Sequence, residues 1–125
     1  MSLQTLLEET RAGASKRIPE EALAVMRAAD EELVAKGVGQ DALKAGDTLP
    51  DATFTSATGD TVQMSSLLAN GPLIINFYRG GWCPYCNFEL KAYQDLLGDI
   101  TALGAQLVAV TPEKPDNSLS TTEKN

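Results

Sequence analysis

The sequence contains no histidine. That absence removes the usual general base, the usual metal ligand and every serine or cysteine triad that works through imidazole. Cysteine is nearly as scarce: Cys83 and Cys86 are the whole complement, separated by two residues. A pair so close cannot staple distant segments of a small secreted fold, so whatever it does is local. Basic residues are outnumbered, ten against seventeen acidic, for a formal net charge of −7. Such a balance repels phosphate backbones and anionic lipid headgroups and favours solubility, so neither nucleic acid nor membrane partners are expected. No apolar run approaches the roughly 20 residues of a membrane-spanning helix, and the N-terminus opens on polar and acidic residues instead of a basic stretch followed by a hydrophobic one. The expected location is cytoplasmic.

What is present suits a compact unit: 125 residues, of which 43% are hydrophobic, are enough for one buried core. Ser2 to Ala12 and Pro19 to Lys36 read as helices. The second opens with Pro19 near the first turn, continues with Glu20 and Glu21 where the helix dipole favours anions, and closes at Gly37. Leu23, Met26, Ala29 and Leu33 recur along it at helical spacing, a stripe expected to be core or packing surface. Gly37 to Pro50 is loop-like and reads as a linker, which divides the chain into a helical N-terminal extension, residues 1–44, and a main domain, residues 45–125.

In the main domain, Asp51 to Met64 holds two short runs around Ala57-Thr58-Gly59-Asp60 and reads as a β-hairpin. Ser65 to Ala69 suits a short helical turn, stopped by Gly71-Pro72. Leu73 to Tyr78 is apolar on both faces, as a buried central strand is. Pro84 to about Leu103 is the strongest helix pattern in the chain, with Gly104 placed as its cap. Ala105 to Thr111 reads as a second buried strand. Strand, helix, strand in that order implies a parallel pair joined by a crossover, hence an α/β sheet.

Arg79-Gly80-Gly81-Trp82-Cys83-Pro84-Tyr85-Cys86 falls between the first of those strands and the helix, at the carboxyl end of a strand, where open α/β folds place their sites. Cys83 is expected at or just before the helix start and Cys86 in its first turn, where free amides and the helix dipole favour a thiolate. Thiolates attack disulfides and peroxides far better than thiols do. Pro84 costs no hydrogen bond in a first turn, and Gly80 and Gly81 let the backbone turn out of the strand and leave the sulfurs approachable. C-x-x-C is also half of many zinc and iron–sulfur sites, but this chain lacks the further soft ligands to complete one, which leaves only a metal shared across a dimer. A structural disulfide closing so short a loop restricts the unfolded chain little. The redox reading is favoured, and no cofactor is expected.

The segment from Phe77 to Glu89 resembles the active-site segment of the peroxiredoxin-like branch of the alkyl hydroperoxide reductase and thiol-specific antioxidant family, and the resemblance extends loosely from Ala45 to Pro112. Within it, Trp82-Cys83-Pro84-Tyr85-Cys86 also resembles the W-C-x-x-C and C-P-Y-C motifs of thioredoxins and glutaredoxins. Both resemblances imply a thioredoxin-like α/β/α sandwich. They imply a thiol-disulfide oxidoreductase or thiol-dependent peroxidase acting on a peroxide or a protein disulfide, re-reduced by a thioredoxin- or glutathione-type thiol.

The two branches order the cysteines differently. The peroxiredoxin register makes Cys86 the peroxidatic residue, with Arg79 in place of that family's proline and Cys83 in place of its threonine. The thioredoxin reading makes Cys83 the exposed nucleophile and Cys86 the resolving thiol, and we take this ordering because the residue ahead of a helix is usually the more accessible. Asn76 lies near the place of thioredoxin's buried aspartate, and an amide cannot take up the proton. Arg79 joins the candidate site as a charge that steadies a thiolate, and Trp82 as part of a partner surface, with a solvated role and a core-packing role as their respective alternatives.

Family members continue beyond the strand that Ala105 to Thr111 matches, so the sandwich is expected to be incomplete at the C-terminus, with Ser118 to Asn125 opening the next helix. An unpaired edge of this kind favours a homo-oligomer. The alternative to an enzyme is a non-catalytic module acting in self-association.

Overall fold

The computed structural model describes residues 1–115; the helix expected from Ser118 to Asn125 lies outside them. The described residues fall into two compact units, one of residues 8–50 and one joining residues 1–7 to the segment from residue 51 onward.

In the unit of residues 8–50, helix α1 (Leu3–Ala12) ends, a single turn α2 (Ala14–Arg17) follows, and α3 (Glu20–Ala35) runs for 16 residues from Pro19. Arg17 Nη2 donates to the Thr10 carbonyl at 2.7 Å and ties the short turn back to α1. An ion pair from Arg27 to Glu20 runs along the face of α3. The apolar stripe of α3 departs from expectation: Met26 and Leu33 are about half exposed, and the helix has no buried residue. Three helical pieces and a loop offer no second layer broad enough to cover it.

The other unit carries the sheet structure. Strands β1 (Thr53–Thr55) and β2 (Thr61–Gln63) form the expected antiparallel hairpin, with Phe54 opposite Val62. Its turn is closed by Ser56 N–H to the Asp60 carbonyl at 2.7 Å and by Thr58 Oγ1 to Asp60 Oδ2 at 2.7 Å. Asp51 anchors the base by accepting from the Ser65 amide at 3.0 Å and from Gln63 Nε2 at 2.9 Å. The five-residue helix α4 (Met64–Leu68) follows directly, and Met64 is buried.

Strand β3 (Leu73–Phe77), helix α5 (Pro84–Ala102) and strand β4 (Gln106–Val110) form the expected strand, helix, strand unit. The two strands are parallel, in register from Leu73 opposite Gln106 to Phe77 opposite Val110. Helix α5 starts with Cys83 as N-cap and Pro84 in the first turn, and an exposed Lys91–Asp95 ion pair supports its middle. Pairs of this kind contribute about 0.3–0.5 kcal/mol.

Strand β3 is not covered as a central strand would be. Ile74 is 36% and Phe77 68% exposed, because among the described residues β3 pairs with β4 alone. Burial concentrates instead at its carboxyl end, where Asn76 and Tyr78 are buried on one face. That end leads into the loop carrying the cysteines.

Candidate active site

The loop from Arg79 to Trp82 turns out of β3 through Gly80, whose φ of +150° only glycine adopts without strain. A Cβ there would also lie 2.5 Å from Trp82 Nε1 and 2.7 Å from the Glu113 carboxyl carbon. Gly80 is therefore required by its conformation, and a side chain there would also have to push the ends of Trp82 and Glu113 aside. Its carbonyl accepts from the Cys83 amide at 3.0 Å, and the Cys83 carbonyl accepts from the Asn87 amide at 3.1 Å as the first rung of α5. Cys83 thus stands ahead of the helix and Cys86 within its first turn, as the spacing predicts.

Both cysteines are free thiols, and both are buried. They form one apolar cluster with Tyr78, against which Tyr85 and Leu90 pack. This corrects the expectation that the glycines leave the sulfurs approachable and that Cys83 is the more accessible. Cys83 is 1% exposed and Cys86 8%. The cause is packing: Cys83 joins the cluster of Tyr78 and Cys86, with Tyr85 and Leu90 against it, rather than facing out along the loop.

The two sulfurs are electrostatically distinct. Burial pushes the Cys83 thiol up, but hydrogen bonding from the Cys86 side chain and amide, the positive charge of Arg79 and the Tyr85 amide together bring it below the ordinary thiol value. Cys83 makes no side-chain cap bond of full geometry in the structure. Its anion has the stronger claim on those first-turn amides. Burial pushes Cys86 up, and its hydrogen bond to Cys83 and the neighbouring charge of Cys83 push the same way. The Arg79 and Gly80 amides offset this only in part, so Cys86 lies above the ordinary value.

Arg79 and Trp82 are both exposed, and the Arg79 guanidinium lies 4.7 Å from the Trp82 ring centroid. Trp82 is therefore a surface residue and not a core one. Asn76, expected near a buried aspartate position, is buried, and its Oδ1 meets no hydrogen-bond partner.

Three residues at the site were not singled out from the sequence as site residues. Tyr78 shares one apolar cluster with both cysteines, Asn87 donates from Nδ2 to the Gly81 carbonyl at 3.0 Å, and Glu113 Oε2 accepts from the Gly81 amide at 3.0 Å. Tyr78 and Asn87 sit within the recognised segment. Nothing in the sequence marks Glu113, which lies 32 residues beyond Gly81. A groove of about 700 Å³ runs between the hairpin and β4, and its lining includes Phe54, Val62, Tyr78, Val110 and Glu113 but neither cysteine. Among the described residues no three Cys, Asp or Glu side chains converge to hold a metal, and no helix is long and apolar enough to cross a membrane.

A parallel strand, helix, strand unit with a C-x-x-C dithiol at its first junction is the thioredoxin-like α/β class. Solved structures bear this out. Peroxidoxin BcpB from Mycobacterium tuberculosis superposes with a TM-score of 0.63 at 27% identity, covering 66% of this chain and 53% of that one. A Chlorobium tepidum protein named as a thiol:disulfide interchange protein DsbE shares the fold, with a TM-score of 0.56 at 24% identity, over 66% of this chain and 57% of the other.

The chain belongs to the AhpC/TSA family, whose pattern its residues 45–125 match. Two Mycobacterium tuberculosis proteins that bear the name peroxiredoxin are similar to it. Rv1608c is 30% identical over 71 residues, which is 57% of this chain and 46% of the relative; Rv2521 is 31% identical over 74 residues, which is 59% and 46%. The matched stretch spans about half the length of these relatives.

Proposed function

We propose that the chain is a thiol-dependent oxidoreductase in which Cys83 is the nucleophile and Cys86 the resolving thiol, acting on a peroxide or a protein disulfide. The observation that carries this reading is the pairing of the two sulfurs at the start of α5, with Cys83 shifted toward the thiolate and Cys86 away from it. A nucleophile needs the first shift, and a resolving thiol held in reserve fits the second.

With a disulfide, the Cys83 thiolate attacks one sulfur and forms a mixed disulfide, and the released thiolate takes a proton. Cys86 then loses its proton and attacks Cys83, releasing the second substrate sulfur as a thiol; two electrons have passed to the substrate. With a peroxide, Cys83 takes the distal oxygen as a sulfenic acid and an alcohol or water leaves. Cys86 then displaces water to give the same Cys83–Cys86 disulfide. A thioredoxin- or glutathione-type thiol restores the dithiol. Arg79 favours the Cys83 thiolate by charge, and Trp82 forms part of the surface that meets a partner. In this reading residues 1–44 are a helical extension to a thioredoxin-like domain of residues 45–125, and the protein works in the reducing cytoplasm.

A second ordering, with Cys86 attacking peroxide, is favoured by one observation: Cys86 is the less buried sulfur and receives the Arg79 and Gly80 amides. Hydrogen peroxide is small enough to reach it. Peroxide consumption and insulin disulfide reduction, assayed side by side on the purified chain and its single Cys→Ser variants, test both. The proposal expects Cys83→Ser to abolish turnover. Peroxide consumption that survives Cys83→Ser and is lost in Cys86→Ser reverses the order, and absence of both activities in the wild-type chain rejects an enzymatic role.

A further inference from the structure

The dithiol sits on a loop whose backbone is held from outside by two side chains with no part in the chemistry just described. Gly81 donates its N–H to Glu113 Oε2 and accepts at its carbonyl from Asn87 Nδ2, both at 3.0 Å. Asn87 comes from α5, one residue past Cys86. Glu113 comes from the turn after β4, where its own amide donates to Thr111 Oγ1 at 3.3 Å and so helps to hold the backbone of that turn. The loop is thus bonded to the helix on one side and to the far strand on the other. A side chain at Gly80, immediately before, would have to displace the same carboxylate.

We propose that Glu113 and Asn87 are positioning residues of the dithiol: by holding Gly81 through both of its backbone groups they fix the loop that brings Arg79 to Cys83. The inference rests on the dithiol reading above. Its physical basis is that a loop of glycines has no conformational preference of its own to keep Arg79 near the sulfur. The Gly80 carbonyl that holds the Cys83 amide belongs to the same loop. Release of Gly81 therefore loosens both at once. The charged and titratable groups around Cys83 are Arg79 from the loop, Cys86 and Tyr85 from α5, and Tyr78 from the end of β3. Glu113 itself is an anion, so if it acted by charge alone its removal would make the thiolate easier to form, whereas loss of positioning makes it harder. The two roles predict opposite signs.

The test is the rate of iodoacetamide alkylation at Cys83, followed by peptide mass mapping across the thiol titration range, on the full reduced chain. Glu113→Ala and Asn87→Ala are each expected to move the Cys83 inflection upward and slow alkylation at neutral pH by about threefold to tenfold. The double variant should be little worse than either, because both bonds act on one residue. Glu113→Gln keeps an acceptor and loses the charge, and is expected to keep the wild-type inflection or lower it. Should an alanine variant fail to unfold cooperatively, Glu113→Met and Asn87→Leu keep the bulk and remove the same bonds. An inflection unchanged in folded variants overturns the positioning role, as does a downward shift shared by Glu113→Ala and Glu113→Gln. A wild-type Cys83 that titrates no lower than an ordinary thiol sinks instead the dithiol reading on which the inference rests.

Discussion

Cys83 and Cys86 lie in one buried cluster and are shifted in opposite directions: burial and then the neighbouring Cys83 raise Cys86, whereas at Cys83 the influence of Cys86, the Arg79 charge and the Tyr85 amide outweighs burial and lowers it. Alkylation of the reduced chain is therefore expected in two steps, Cys83 first and at lower pH. In Cys86→Ser the Cys83 thiolate has no resolving partner, so a mixed disulfide with a substrate protein should accumulate and be visible by mass. Equal alkylation rates at the two sulfurs would contradict the split.

The same shifts set how stability follows pH. Cys83, depressed in the folded chain, adds stability that is present above the ordinary thiol pKa and is lost as pH falls through its own lower value. Cys86, raised, adds stability that is present below the ordinary pKa and is lost as pH rises through its higher value. The reduced chain should gain on the disulfide form as pH approaches the ordinary thiol pKa of about 8.5 and lose again above it. Urea midpoints of the two forms, compared across that range, check the sign. A monotonic difference would remove one of the two shifts.

Removing the charge of Arg79 should leave the fold intact and weaken the site. Arg79→Gln is expected to raise the Cys83 inflection and slow alkylation at neutral pH by a few-fold. Its contact with the exposed Trp82 ring is worth about 0.5–1 kcal/mol, so Trp82→Ala should cost little stability. A larger loss of substrate turnover than of stability in Trp82→Ala would mark the ring as part of a partner surface.

Gly71 is held against the backbone where β3 begins and α5 returns toward β4. Its φ is +130°, and a Cβ there would lie 2.3 Å from the Gly104 carbonyl oxygen. Gly71→Ala is expected to destabilise the chain by about 1–3 kcal/mol, seen as a lower thermal midpoint without a change in the Cys83 titration. A neutral effect would show that the two turns separate easily.

Asn76 offers the reverse case. Its buried Oδ1 meets no hydrogen-bond partner, so Asn76→Val, which suits a strand and removes the polar group, should stabilise by about 1 kcal/mol. Asn76→Asp should destabilise, since burial disfavours the carboxylate. Denaturant midpoints decide both. A destabilised valine variant would mean that the amide has a partner under native conditions.

The sequence made the strand, helix, strand unit legible because each signal was local: Gly71-Pro72 before β3, Pro84 at the start of α5 and Gly104 after it. The dithiol was legible for the same reason, since two residues of spacing place both cysteines at one helix start. Burial was not legible. Leu73 to Phe77 has the composition of a central strand, yet coverage depends on how many strands pair with it, and Phe77 is exposed. The inward turn of Cys83 depends on Tyr78 packing over it, and the grip of Glu113 on Gly81 depends on where β4 ends. Neither follows from spacing along the chain.

Tyr78 belongs to two structures at once. Its amide donates to the Val110 carbonyl at 2.9 Å, just past the last paired residue of β3, and the residue belongs to the same apolar cluster as both cysteines. On the proposed reading, a bulky disulfide reaches a sulfur that is 1% exposed only if part of its cluster moves, and Tyr78 is the member that sits on the terminal rung of a ladder that is two-stranded among the described residues. On the proposed reading, admission of a protein disulfide is coupled to opening of that rung, whereas a small peroxide need not wait for it. Hydrogen exchange at the Tyr78 amide would report how often the rung opens, and the proposal expects the ratio of disulfide to peroxide turnover to follow that frequency.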